Sequence, residues 1–173
     1  VCLFDADDVM LVEESSDLAA WTFADLREVL PEPVEDFLER DALCCTNWAS
    51  TPNLGDGLRR IAAHDPDGGV FCVDPGPLTA AGARDLLAAL PVLEDAYDVV
   101  VSVNDDEAAR LAEAAGEAAA DDPTVTLDAI REATAATGVV VHGEEAAVAS
   151  TPVGRVSVPT LDVSRALTET GAG

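Results

Sequence analysis

One stretch, residues 99–107, constrains the fold more than any other: a β-branched run stops abruptly at a polar cluster, VVVSVNDDE. The run is typical of a buried strand in a parallel sheet, and the helix formers of residues 108–120 predict a helix directly after it. In open α/β sheets, ligands bind at the carboxyl edge of the strands. The stretch therefore predicts a strand that delivers Asn104 and Glu107 to a ligand-binding edge.

Three more apolar runs have the character of core strands, at residues 42–46, 69–73 and 139–141. Segments with helical periodicity or capping residues separate the strands, and we expect helices at about residues 54–64, 79–91, 108–120 and 127–136. This alternation predicts an α/β fold, a three-layer αβα sandwich around a mostly parallel sheet covered on both faces.

Two pairs of shorter runs predict hairpins instead of βα units. Residues 146–149 and 153–158 are separated by turn residues, and so are residues 1–5 and 9–13 near the start.

Polar or small residues follow every predicted core strand. Because parallel strands align their carboxyl ends on one edge, a single crevice would receive all of these side chains. A turn former or a helix cap is the simpler explanation for any one of them. The candidate ligand-binding residues at this edge are Asn47, Asp74, Asn104, Glu107, His142 and Gly143.

The segment from Asn104 to Glu107 has two interpretations. It can be a helix cap followed by an acidic first turn, which the helix dipole favours. Alternatively, Asn104 and Glu107 hold water or a hydrated Mg²⁺ near nucleotide phosphates, because a hard cation that keeps several waters needs few direct protein ligands.

A glycine-rich turn, Thr170, Gly171, Ala172 and Gly173, closes the sequence. Glycine turns are common, and an ordinary tail is one explanation. The functional alternative is a loop whose backbone N–H groups point at a developing negative charge ahead of a helix N-terminus.

The charge balance is extreme, with 34 acidic residues against 9 basic ones and a net charge of −25. Such self-repulsion destabilises a compact state at low ionic strength, whereas molar salt shortens the Debye length to about 3 Å. The composition resembles that of halophilic proteins from salt-accumulating archaea. It argues against nucleic acid or an anionic membrane as a partner, since no basic patch or basic amphipathic helix is present.

The four cysteines, Cys2, Cys44, Cys45 and Cys72, show no C-x-x-C spacing. Most lie in apolar strand-like runs, which favours buried free thiols in a reducing cytoplasm over disulfides or a metal site. No signal peptide is visible, and no apolar run approaches the 18 or so residues of a membrane helix. The sequence also lacks the H-x-x-x-H, G-x-S-x-G, P-loop and G-x-G-x-x-G patterns.

Taken in order, these segments resemble the PfkB (ribokinase-like) family of carbohydrate kinases. Residues 73–77, VDPGP, look like the strand-end D-P-x-P segment of that family, and residues 102–107 match its S-x-N-x-x-E motif. Residues 139–143 and the hairpin after them are similar to the segment that leads to the nucleotide loop. Residues 170–173 match the start of T-G-A-G-D. The resemblance covers nearly the whole chain from about Ala42.

The resemblance implies ATP-dependent phosphorylation of a hydroxyl on a sugar or sugar phosphate, with Mg²⁺ as the metal. It places Asn104 and Glu107 near Mg²⁺, which they would hold through water, and near the phosphates. It makes Gly171, Ala172 and Gly173 the anion hole for the transferring phosphoryl group. It further implies nucleotide contacts by His142 and Gly143 and substrate contacts by Asn47 and Asp74. Arg165 is a candidate to meet a phosphate, although a surface arginine is the simpler explanation.

The resemblance also frames the organisation of the chain. The catalytic aspartate of the family directly follows the second glycine of its loop, so we expect an internal fragment of a single domain that ends just before that residue. Residues 42–173 would be the core, and residues 1–13 would be a remnant of lid-like strands.

One function of a different class stays open, a catalytically silent sugar- or nucleotide-binding module on the same fold. A homodimer and an ADP-dependent donor are open as well. An aspartate encoded directly after Gly173 would favour the kinase over the binding module.

Overall fold

The computed structural model describes residues 2–3, 9–10, 16–117, 123–143 and 145–160. The strands are β1 Cys2–Leu3, β2 Val9–Met10, β3 Ala42–Thr46, β4 Val70–Asp74, β5 Asp98–Val103, β6 Gly138–His142, β7 Ala146–Thr151 and β8 Gly154–Pro159. The helices are α1 Ser16–Ala20, α2 Phe23–Val29, α3 Val34–Leu38, α4 Leu54–Ala62, α5 Ala80–Ala89, α6 Asp105–Ala115 and α7 Pro123–Thr134. Two 3₁₀ helices, Trp48–Ser50 and Leu90–Leu93, complete the described elements.

Strands β3 to β8 form one six-stranded sheet in sequence order. The first four are parallel, and β7 and β8 add an antiparallel hairpin at the far edge. Strands β1 and β2 pair antiparallel in a separate two-stranded sheet. The α/β class, the mostly parallel sheet and both predicted hairpins are confirmed, whereas a lid role for residues 1–13 stays a prediction.

Helices α4, α5 and α6–α7 each connect two neighbouring parallel strands. Because such crossovers are right-handed, helices that join neighbours in a sequentially ordered sheet lie on the same face. The residues of the sheet on that face are buried: Leu43, Phe71, Val73, Val99, Val101, Val103, Val139 and Val141. The helices contribute Leu58, Leu86, Leu111, Leu127 and Ile130, all fully buried, to the same core. The described helices thus form one of the two expected helical layers.

The residues that alternate with these buried ones along each strand point to the opposite face of the sheet, which we call the open face. Its residues are exposed or half-buried: Cys44, Val70, Cys72, Val100, Ser102, Val140, Val156 and Val158. Cys44 is exposed, and Cys45 and Cys72 are half-buried. The expected burial of the thiols is therefore wrong for Cys44, because the apolar run of β3 does not reveal which face the helices cover.

Two predicted helix boundaries need correction. Helix α6 ends at Ala115, not near residue 120, because Gly116 takes a left-handed conformation (φ 89°) that caps the helix. Helix α7 begins at Pro123, before the expected Leu127, because proline suits the first turn of a helix, where its missing N–H is not needed. In the described part of the chain, no helix is long and apolar enough to cross a membrane.

Candidate functional site

The end of β5 leads directly into α6, and a reciprocal capping box joins them. Asn104 is the N-cap, and its Oδ1 accepts a hydrogen bond from the Glu107 backbone N–H at 2.9 Å. The Asn104 backbone N–H in turn donates to Glu107 Oε2 at 3.0 Å. The motif that singled out these residues therefore also encodes a helix start, and the cap interpretation is confirmed as their structural role.

Glu107 nevertheless has features that a cap alone does not require. Only 5% of its surface is exposed, although it is ionisable. Within the described residues, its second oxygen, Oε1, accepts no hydrogen bond. In the described part of the chain, Oε1 is also not among the buried polar atoms that lack a partner, so a cation or water can reach it. Glu107 is thus both a structural residue and an available oxygen ligand.

The neighbouring strand end, at Gly143 after β6, approaches the same helix start. A Cβ atom built on Gly143 would lie 2.8 Å from Asp105 Oδ2 and 3.0 Å from Oδ1. Any larger residue at position 143 would displace the Asp105 carboxylate. The Gly143 backbone N–H donates to the Ala146 carbonyl at 3.0 Å, which starts the β7 hairpin. The end of β6 is therefore held against the first turn of α6.

Asn47 and Asp74 form the other half of the edge, at the ends of β3 and β4. Asn47 adopts a left-handed conformation (φ 66°, ψ 47°), and its backbone N–H donates to the Asp74 carbonyl at 2.9 Å. The carboxylate of Asp74 is exposed, and its Oδ1 accepts from the Gly76 N–H at 3.2 Å. Asn47 Oδ1 lies 3.5 Å from the position of a Cβ on Gly76. These contacts fix the loop after β4 beside the end of β3.

The structure brings all six predicted edge residues to one edge of the sheet, in two halves. With strands about 4.8 Å apart, the ends of β3 and β6 are separated by roughly 14 Å. His142, the last residue of β6, is half-buried and pairs in register with Ala147 of β7. The predicted anion hole, Gly171, Ala172 and Gly173, and the candidate Arg165 lie outside the described residues.

The donor set at this edge suits a hard cation held through water. In the described ranges, no group of three or more histidine, cysteine or acidic side chains could hold a metal ion. Carboxylate and amide oxygens are nevertheless available from Asp105, Glu107 and Asn104, and Mg²⁺ usually keeps several waters in protein sites. The residues present therefore fit an Mg²⁺ ion that is bound mainly through water, and do not form a dedicated cage.

Asp105 is the residue of this site that the sequence interpretation missed. It stands between the two singled-out positions of the motif and reads as one of three acids in the first turn of α6. The signal that could have revealed it is the pairing of an acid after one strand with a glycine after the next. That pattern can be recognised only when β5 and β6 are known to be neighbours in the sheet.

No family model matches the chain, and no curated protein matches it. Several solved structures do match by their fold. The pyridoxal kinase from Staphylococcus aureus, solved with AMP-PCP and pyridoxal, is 16% identical with a TM-score of 0.53, and the match covers 78% of this chain and 52% of that one. The phosphomethylpyrimidine kinase from Clostridium difficile 630 is 13% identical with a TM-score of 0.51, and the match covers 79% and 57%.

A third match is an E. coli protein described as a ribokinase II, solved with ATP and Mg²⁺. It is 15% identical with a TM-score of 0.50, over 76% of this chain and 42% of that one. The resemblance indicated by the motifs is confirmed at the level of the fold, which is that of the ribokinase-like kinases. The chain spans about half the length of the structures it matches.

Proposed function

We propose that this chain is part of a kinase that transfers the γ-phosphoryl group of Mg²⁺-bound ATP to a hydroxyl of a sugar or sugar phosphate. The observation that carries the proposal is the buried Glu107 carboxylate at the start of α6, in a first turn that packs against Gly143. This arrangement lies at the carboxyl edge of a parallel sheet, where α/β proteins bind ligands. Kinases with the same fold are solved with AMP-PCP and with ATP and Mg²⁺.

The charges in the first turn of α6 favour one form of a nucleotide over another. Asp105, Asp106 and Glu107 place three carboxylates within one helical turn. The helix dipole favours an anion there, yet these carboxylates repel a free triphosphate. A divalent cation removes the conflict, because it neutralises the phosphates and accepts oxygen ligands through its waters. We therefore propose that the edge selects the Mg²⁺ complex over the free nucleotide.

Phosphoryl transfer asks a protein mainly for positioning and charge stabilisation. In this proposal, Glu107 and Asn104 orient water at the cation, and the cation would supply charge neutralisation on the phosphates. Because Gly143 has no side chain, the Asp105 carboxylate fits beside it. For the same reason, the backbone at the end of β6 can approach the phosphates closely. Asn47 and Asp74 are proposed to hydrogen-bond the acceptor from the other half of the edge.

An acceptor panel tests the proposal in the full-length protein that carries this chain. The panel contains sugars, sugar phosphates, pyridoxal and a hydroxymethylpyrimidine, each with Mg²⁺-ATP in molar KCl, and ADP release is measured. We expect release that depends on a sugar or sugar phosphate. Release with only pyridoxal or the pyrimidine would retain the kinase and replace the acceptor, and release with none of them would refute the kinase.

A silent nucleotide-binding module is the second candidate. It is favoured by one observation, that Asn104 Oδ1 and Glu107 Oε2 are already used by the capping box. Such a module would bind Mg²⁺-AMP-PCP but, with any acceptor, would release no ADP from ATP and no AMP in parallel runs with ADP as the donor.

A further inference from the structure

Two cysteine side chains lie next to each other on the open face. Cys44 of β3 and Cys72 of β4 are register partners in the parallel pair. Their neighbours Leu43 and Phe71 are buried on the opposite, helix-covered face, so both thiols project to the open face. Cys44 is exposed, Cys72 is half-buried, and both are free.

The two cysteines lie directly opposite each other in the register of β3 and β4. Burial, followed by the influence of the neighbouring Cys44, raises the pKa of the Cys72 thiol. Adjacent strands are about 4.8 Å apart, within the Cα separations of roughly 4.4–6.8 Å that disulfides span. A bond between these sulfurs therefore needs side-chain rotation and little backbone movement.

We propose that Cys44 and Cys72 form a reactive dithiol that exchanges with small-molecule disulfides and closes a cross-strand disulfide between β3 and β4. The exposed Cys44 thiolate attacks one sulfur of the small disulfide, which releases one small thiol and leaves a mixed disulfide on Cys44. Cys72, as the thiolate, then attacks Cys44 Sγ and releases the second small thiol. Two protein thiols are oxidised, one small disulfide is reduced, and the proton of each cysteine passes to a departing thiolate.

The other cysteines are poor candidates for the same reaction. Cys45 follows Cys44 directly in β3 but alternates to the helix side, where burial raises the pKa of its thiol to about 12. The sheet therefore separates Cys45 from both thiols of the pair. Cys2 belongs to β1, which pairs with β2 and not with the main sheet. The pair is therefore selected by register and exposure, and the inference is independent of the proposed kinase function.

Oxidised glutathione tests the inference on the folded chain in molar KCl. We expect the four thiols of the chain, titrated after unfolding, to fall to two. Because the chain has no lysine, trypsin separates Cys2 (residues 1–27), Cys44 with Cys45 (residues 41–59) and Cys72 (residues 61–84). Mass spectrometry should find the second and third peptides joined, with the loss of two hydrogens.

Three variants identify the sulfurs, and circular dichroism confirms that each is folded. Cys45→Ala should keep the joined peptides, whereas Cys44→Ser should abolish them. Cys72→Ala should trap glutathione on Cys44, because the second step is missing. The inference is overturned if four thiols remain, if wild-type Cys44 retains glutathione while Cys72 stays free, or if the joined peptides persist in Cys44→Ser.

Discussion

The two faces of the central sheet are built from the same kinds of residue but have different surroundings. Val101 is fully buried under the helices, while Val100, its neighbour in β5, is half-buried on the open face. Phe71 and Cys72 of β4 differ in the same way. The comparison teaches that one face of this sheet supplies the core that holds the strands. The other face carries the accessible chemistry, and the candidate site lies along the edge where both faces end.

The largest effect we expect is on the whole fold. Self-repulsion from a net charge of −25 opposes the burial on the helix-covered face, and molar salt screens that repulsion. Lowering KCl from molar to millimolar concentrations should unfold the chain, as followed by far-UV circular dichroism. A constant signal across the series would show that apolar burial alone holds the sheet, and would contradict the halophilic interpretation of the composition.

Truncating the matched valines compares the two faces directly. Val101→Ala should lower the free energy of unfolding by about 2–3 kcal/mol, from the lost methyl groups and the cavity left behind. Val100→Ala should cost about 1 kcal/mol or less, because its side chain is already partly in water. Urea unfolding in molar KCl measures both. Equal losses would mean that the open face is as well packed as the covered one.

The helix caps at the edge should show a smaller difference. Asn104→Ala removes the side-chain half of a reciprocal capping box and leaves the Glu107 backbone N–H without its acceptor, so we expect a loss of about 1–2 kcal/mol. Thr79 caps α5 through one hydrogen bond to the Gly82 N–H at 3.1 Å, and Thr79→Ala should cost about 0.5–1 kcal/mol. Asn104→Ser, which can still cap, should recover part of the loss. If it recovers nothing, capping is not the structural role of Asn104.

The smallest effect on stability that we expect comes from a polar contact on the helix-covered side of the sheet. Hydrogen bonds from Arg155 and, to a smaller extent, from Ser150 hold the pKa of the Asp128 carboxyl below its usual value. These contacts join α7 to the β7–β8 hairpin. The ionised carboxylate therefore stabilises the folded state above the unfolded pKa of about 3.9, and this contribution is lost as the pH falls through the lowered folded value.

Asp128→Asn should cost less than about 1 kcal/mol at pH 6, since the pair is partly exposed. The difference in urea midpoint between wild type and variant should narrow as the pH is lowered to 3. A difference that stays constant over this range would show that the charge of Asp128 contributes nothing.

The sequence was sufficient to predict the strands, the hairpins and the helix start at Asn104, because each of these depends on a local residue pattern. A valine run predicts a strand wherever it lies, and N-x-x-E encodes a capping box within one turn. The contact of Asp105 with Gly143 and the pairing of Cys44 with Cys72 could not be predicted, since both depend on strand order and register. The exposure of one sheet face could not be predicted either, because a continuous apolar run does not show which side of the strand the helices cover.

The central claim is that the edge around Glu107 binds a Mg²⁺-nucleotide complex. Isothermal titration of Mg²⁺-AMP-PCP into the full-length protein tests it most directly, with Glu107→Gln compared to Glu113→Gln. Both changes remove one charge from α6, but Glu113 is exposed outside the site, and glutamine at position 107 can keep the capping box. We predict a 10- to 100-fold weaker affinity for Glu107→Gln, by analogy with the loss of metal-orienting groups, and no change for Glu113→Gln. Equal affinities for wild type and both variants would contradict the claim.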